Sequence, residues 1–130
     1  MQKPESLDLA TLKADLGLTH LKAGVPEKAE PLLREALRVY DKGMPEDWRR
    51  FEIRSQLGEA LATQKHYAEA EPLLREGYEG MIARRKNITV DAWPRRPDPG
   101  RRVLRLYDEW GRPEKAAEWR ERIKADGGTG

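Results

Sequence analysis

The sequence predicts an all-α fold, a stack of three helix-turn-helix hairpins, and three observations carry that reading. The stretch from Ala29 to Glu35 reads Ala-Glu-Pro-Leu-Leu-Arg-Glu and returns unchanged from Ala70 to Glu76, a fixed spacing of 41 residues. The echo extends outward, because Leu16-Gly17 is matched by Leu57-Gly58, and a weaker third copy places Val103-Leu104 ahead of Ala116. Finally, about half of the 130 residues are Ala, Glu, Lys, Leu or Arg, a bias that favours helix. Repeats of this length are supersecondary units that bury their apolar faces only by stacking on one another.

Each helix follows from its own signals. Ser6 can cap a first helix running to about Ala23, in which Leu9, Leu12, Leu16 and His20 fall at helical spacing and Gly24 closes the segment. Val25-Pro26 restarts the chain, since proline suits a first helical position. The second helix runs to about Lys42, with a buried face of Ala29, Leu32, Leu33, Ala36, Leu37 and Tyr40. Gly43-Met44-Pro45 interrupts, and Glu46 or Asp47 caps a third helix that carries Trp48, Phe51, Leu57, Leu61 and Ala62 to about Gln64. The fourth repeats the stripe of the second as Ala70, Leu73, Leu74, Gly77, Tyr78 and Met81. Pro31 and Pro72 lie about a turn and a half into their helices, where a slight kink is expected.

After Arg84 the helical pattern fades into a loop over 86–98. A fifth helix then covers Pro99 to Trp110, with Val103, Leu106, Tyr107 and Trp110 inward, and a sixth runs from Pro113 to about Ala125. The expected organisation is therefore one domain over 1–130, with repeats at about 6–43, 45–86 and 98–125 and a disordered tail over 126–130. The first helix is unusually rich in leucine (Leu7, Leu9, Leu12, Leu16, Leu18 and Leu21), more than one buried face needs. The expectation is that a second copy of the chain, making a homodimer, or an upstream segment covers it.

The Leu-Gly pair followed about twelve residues later by alanine resembles the tetratricopeptide repeat. Leu16-Gly17 with Ala29 and Ala36 carries the likeness in the first unit, Leu57-Gly58 with Ala70 in the second, and Tyr107 and Ala116 in the third. The 41-residue spacing is similar to the longer variant of kinesin light chains. The phrase from Tyr67 to Leu74 resembles repeats at the carboxy-terminal ends of bacterial serine/threonine protein kinases. The resemblance implies a right-handed stack that acts as a non-catalytic, protein-binding scaffold. It also implies that the first helix of each hairpin lines a concave surface. Counted from the Leu-Gly register, that surface would present Ala14, Leu18 and Leu21, then Ser55, Glu59 and Ala62, then Arg101, Arg105 and Asp108, grading from apolar through acidic to basic. Such a surface suits a protein or peptide partner with an acidic segment. The positions where the kinesin-type repeat carries asparagines are held here by Ala14-Asp15 and Ser55-Gln56.

Other chemistry is poorly supplied. There is no cysteine, which removes disulfides and thiolate chemistry, and the two histidines, His20 and His66, show no metal-ligand spacing. No phosphate-cradling glycine loop occurs, and exposed glutamates on charge-rich helices lack the pocket that a catalytic pair needs. Neither an enzyme, a cofactor nor a metal is expected. With no apolar stretch of membrane-spanning length, a cytoplasmic protein with no membrane partner is expected. Charge is nearly balanced at +2 but unevenly placed. Between Arg84 and Arg105 stand Arg84, Arg85, Lys86, Arg95, Arg96, Arg101, Arg102 and Arg105 against Asp91 and Asp98, a net +6 that leaves the remainder at −4. Beside Trp93, this basic span offers a secondary reading as a nucleic-acid or polyanion surface, against which stands simple pairing with neighbouring glutamates.

Overall fold

The computed structural model describes residues 6–89 and 99–127. Six α-helices make up the described chain: α1 (Leu7–Lys22), α2 (Pro26–Gly43), α3 (Trp48–Thr63), α4 (Tyr67–Ala83), α5 (Pro99–Trp110) and α6 (Pro113–Ala125). They pack as consecutive antiparallel pairs, each pair leaning on the next, and no strand occurs among the described residues. Ser6 caps α1 by accepting from the Leu9 amide, and Asp47 caps α3 by accepting from the Arg49 amide at 2.9 Å. Both prolines stand sixth in their helices, and α2 and α4 run on through them.

The three hairpin turns are built alike. Gly24, Lys65 and Gly111 occupy equivalent places, and all three have positive φ (79°, 67° and 73°). In each turn the next amide reaches back five residues, Val25 to the His20 carbonyl, His66 to Leu61 and Arg112 to Tyr107, at 2.8–2.9 Å. This left-handed closure satisfies carbonyls that the helix end would otherwise leave bare. Glycine adopts it freely, but Lys65 does so against its Cβ.

Small residues set how closely the helices approach. A Cβ placed on Gly17 would meet Leu33 at 2.8 Å, and one on Gly58 would meet Leu74 at 2.6 Å. Further along the second hairpin, a Cβ on Gly77 of α4 would lie 2.9 Å from the Phe51 carbonyl oxygen of α3, a backbone atom that cannot turn aside. Ala29 and Ala70, the repeated alanines, have no exposed surface, and Leu33, Leu57, Leu61, Leu74, Val103 and Leu106 fill the core around them. The third unit is held by aromatics. Tyr67 stacks on Trp110 with centroids 5.8 Å apart, Tyr107 on Trp110 at 6.4 Å, and Tyr78 meets Trp119 edge-on at 5.3 Å.

Two expectations need correction. Leu9, Leu12 and Leu16 do not face inward: they are 43%, 63% and 47% exposed, while Ala10, Ala14 and Gly17 make the buried face of α1. Close packing against α2 selects small side chains there and leaves the larger ones outside. The tail, too, is anchored at its start, since Tyr78 donates to Asp126 at 2.5 Å. The loop begins as a 3₁₀ turn over Arg85–Asn87, followed by Ile88 buried on Phe51 and Met81. Its remainder, with Trp93, Arg95, Arg96, Asp91 and Asp98, lies outside the described residues, as do 128–130.

Two stability predictions follow from the turns and the aromatic joint. Lys65→Gly should raise stability by about 0.5–1 kcal/mol in urea unfolding, because relief of the left-handed strain exceeds the entropy that glycine adds to the unfolded chain. Tyr107 donates to Glu71 at 2.7 Å, and burial first, then that bond, pushes its hydroxyl from 10.0 up to about 12. Its stabilising contribution is complete below the unfolded value and is lost as pH rises from about 10 to about 12, which a pH series of melting temperatures would reveal.

Candidate interaction surface

Between α1 and α3 lies a cleft of about 270 Å³. Ala14, Leu18 and Ile53 form its apolar wall, and Tyr40 of α2 closes it from beneath, where its hydroxyl shares a 2.6 Å hydrogen bond with Thr11. Trp48 stands at the rim with the Arg49 guanidinium over its ring at 5.1 Å, and Arg49 also pairs with its neighbour Asp47 at 3.1 Å. The polar side of the cleft is supplied by Asp15, Glu52 and Gln56.

The repeat register explains why these residues meet. Thr11 and Glu52 are 41 residues apart, as are Asp15 and Gln56, so equivalent positions of α1 and α3, the first or A-type helices of adjacent hairpins, face one another across the cleft. The corresponding place in the third unit, 46 residues on from Gln56, is Arg102. Its side chain is only 2% exposed, and its guanidinium donates to Glu52 Oε1 at 2.9 Å, to Ser55 Oγ at 3.0 Å and to Glu59 Oε1 at 3.3 Å. Arg102 therefore fills the space between α3 and α5, whereas the equivalent space between α1 and α3 is open.

Glu52 is shared between the two sides. Its Oε1 accepts from Arg102 and, at 3.0 Å, from Gln56 Nε2. Its Oε2, together with Gln56 Oε1, is buried without a hydrogen-bond partner among the described residues. Buried acceptors of this kind are costly unless a donor reaches them. The cleft thus has an apolar wall and an aromatic rim, and on its polar side two buried acceptors that no N–H or O–H among the described residues reaches.

Of the nine positions expected on the concave face, Ala14 and Leu18 line this cleft, and Leu21 is half-buried against the core. Ser55 and Ala62 are buried, at 0% and 7%, and Glu59 is occupied by Arg102, so these three are structural rather than ligand-facing. Arg101, Arg105 and Asp108 are exposed on α5. Arg105 pairs with Glu109 along the helix at 2.8 Å, and that bond raises its already high pKa.

The basic span divides in the same way. Arg102 is internal, and Arg84 lies over the Phe51 ring at 4.3 Å while bonding Glu46 at its backbone oxygen and, at 2.5 Å, its carboxylate. Arg85 and Lys86 are exposed at the 3₁₀ turn. Glu52, Gln56, Asp15, Thr11, Tyr40 and Trp48 were not anticipated at the site. The signal that could have found them was the 41-residue register read one turn to either side of Ala14 and Ser55.

His20 is half-buried and His66 exposed, and among the described residues no group of three or more His, Asp or Glu could hold a metal ion. No described helix is long and apolar enough to cross a membrane.

Arg102→Met should cost about 3–5 kcal/mol in urea unfolding, because it leaves Glu52 and Glu59 buried without their cation. Adding Glu52→Gln should recover part of that loss, a coupling that the double-mutant cycle measures directly.

Residues 8–83, more than half of the chain, match a family model described as Tetratricopeptide repeat, and the match spans α1 to α4, including every residue of the cleft. No curated protein matches the chain significantly.

Proposed function

We propose, from the premise that this chain belongs to the tetratricopeptide repeat family, that it is a non-catalytic scaffold whose concave side holds a segment of a partner protein across α1, α3 and α5. Repeats of this family generally mediate protein–protein interaction. The 41-residue spacing supports the longer, kinesin-light-chain-like variant. The cysteine-free composition supports work in the cytoplasm.

The observation that carries the reading is the open cleft with its two unpartnered acceptors, Glu52 Oε2 and Gln56 Oε1. Arg102 shows what satisfies this surface from the other side, a guanidinium donating into Glu52. A partner segment is therefore expected to place an amide, ammonium or guanidinium donor and an adjoining apolar side chain in the cleft. Its acidic end would meet Arg101 and Arg105 on α5. A charge-assisted hydrogen bond of this kind contributes about 1.5–3 kcal/mol where water is partly excluded.

Affinity capture from a native-host lysate at moderate salt tests the reading. Wild-type chain should retain a defined protein. Gln56→Leu and the pair Arg101→Glu with Arg105→Glu should each weaken retention about tenfold or more while the helical circular dichroism is unchanged. Equal capture by all three chains would discard the groove. Retention instead on duplex DNA, falling steeply between about 50 and 200 mM salt, would transfer the assignment to the basic span.

A further inference from the structure

The leucines of α1 face solvent at positions whose equivalents elsewhere in the stack are covered. Leu12 and Leu16 stand 41 residues before Ile53 and Leu57, which are 4% and 2% exposed because α2 packs over that face of α3. His20 likewise precedes Leu61, which is wholly buried. On α1 the same face carries Leu9, Leu12 and Leu16 with 43%, 63% and 47% of their surface open, and among the described residues no helix lies over it. The register thus marks this stripe as one built to receive a helix.

The opposite end of the stack is different. α6 turns Ala117, Glu121 and Lys124 outward, a polar end surface on which an apolar stripe would gain nothing. Head-to-tail stacking of copies would set leucines against those charges. Among the described residues the exposed large apolar side chains are those of α1 itself, so the surface the chain offers to α1 is another α1.

We propose that α1 pairs with the α1 of a second copy of this chain in an antiparallel, two-fold arrangement. Charge fixes the direction. Asp8 near the start of the helix and Lys22 at its end are both exposed on one side of the leucine stripe, four turns apart. Antiparallel pairing brings each Asp8 to the other copy's Lys22, forming the contact twice. It also sets each helix N-terminus beside a C-terminus, where the macrodipoles attract. Parallel pairing would oppose Asp8 to Asp8 and Lys22 to Lys22. In the antiparallel register Leu12 lies against Leu16 of the other copy, and the symmetry repeats that contact across the axis. The cleft opens on a different face of α1, so self-pairing and partner binding are separable.

Sedimentation equilibrium of the full chain, from about 1 to 200 μM, tests the proposal without reference to any partner. A reversible monomer–dimer equilibrium is expected. Leu12→Glu with Leu16→Glu should abolish it while leaving the helical spectrum intact, since both side chains are exposed in the monomer. Asp8→Lys alone and Lys22→Asp alone should each weaken the dimer several-fold, and the two together should return it to within about twofold of wild type. A monomer throughout the range overturns the proposal and leaves the stripe to another occupant. A dimer that survives the double glutamate change also overturns it, and a charge swap that fails to restore pairing overturns the antiparallel arrangement.

Discussion

The close approach of helices at glycine and alanine is the constraint on which the rest of the structure depends. With Leu33 seated on Gly17 and Leu74 on Gly58, neither hairpin could admit a side chain at the glycine without displacing the leucine packed on it. Gly77 imposes a stricter condition within the second hairpin, where opposing atoms belong to the α3 backbone. Once these distances are set, equivalent positions of successive A-type helices must face one another, which is how Thr11 meets Glu52 and Asp15 meets Gln56 around one cleft. Function on such a scaffold is written in whatever residues occupy those facing positions, and the packing residues beneath them are free to repeat unchanged.

Repetition made the hairpins readable. The stripes of α2 and α4 were legible because they recur in register, and their buried residues are largely those that the spacing picked out, from Ala29 to Tyr40 and from Ala70 to Met81. The first helix was misread for a physical reason. The first described helix carries both small residues that touch its own hairpin partner and larger ones at positions that a neighbouring helix covers in the second unit. Periodicity reports two apolar faces without saying which is covered. Leu9, Leu12 and Leu16 gave the stronger pattern, yet Ala10, Ala14 and Gly17 do the packing.

The candidate site was less legible, because it depends on pairing across helices rather than on spacing along one. A run of arginines reads as a basic surface, but Arg84 is spent on Phe51 and Glu46, and Arg102 on Glu52, Ser55 and Glu59. Conversely, Ser55 and Glu59 read as ligand-facing until the arginine 47 and 43 residues further on claims them. Nothing local to α3 announces this. The third unit is the most divergent in sequence, and it is joined to the second by this ion cluster and by aromatic contacts from Tyr67 and Tyr78 to Trp110 and Trp119.

Burying Arg102 has a consequence for how the concave side is divided. A guanidinium withdrawn from water needs several acceptors to offset its desolvation, and Glu52, Ser55 and Glu59 supply them. That demand polarises Glu52: one carboxylate oxygen is committed toward α5, and the other is left without a partner among the described residues, on a residue that lines the cleft beside α1. A neutral side chain at 102 would remove the need for a carboxylate at 52, and with it one of the acceptors available to a ligand. The joint that secures α5 and the chemistry offered between α1 and α3 therefore share one residue, so neither can change without altering the other.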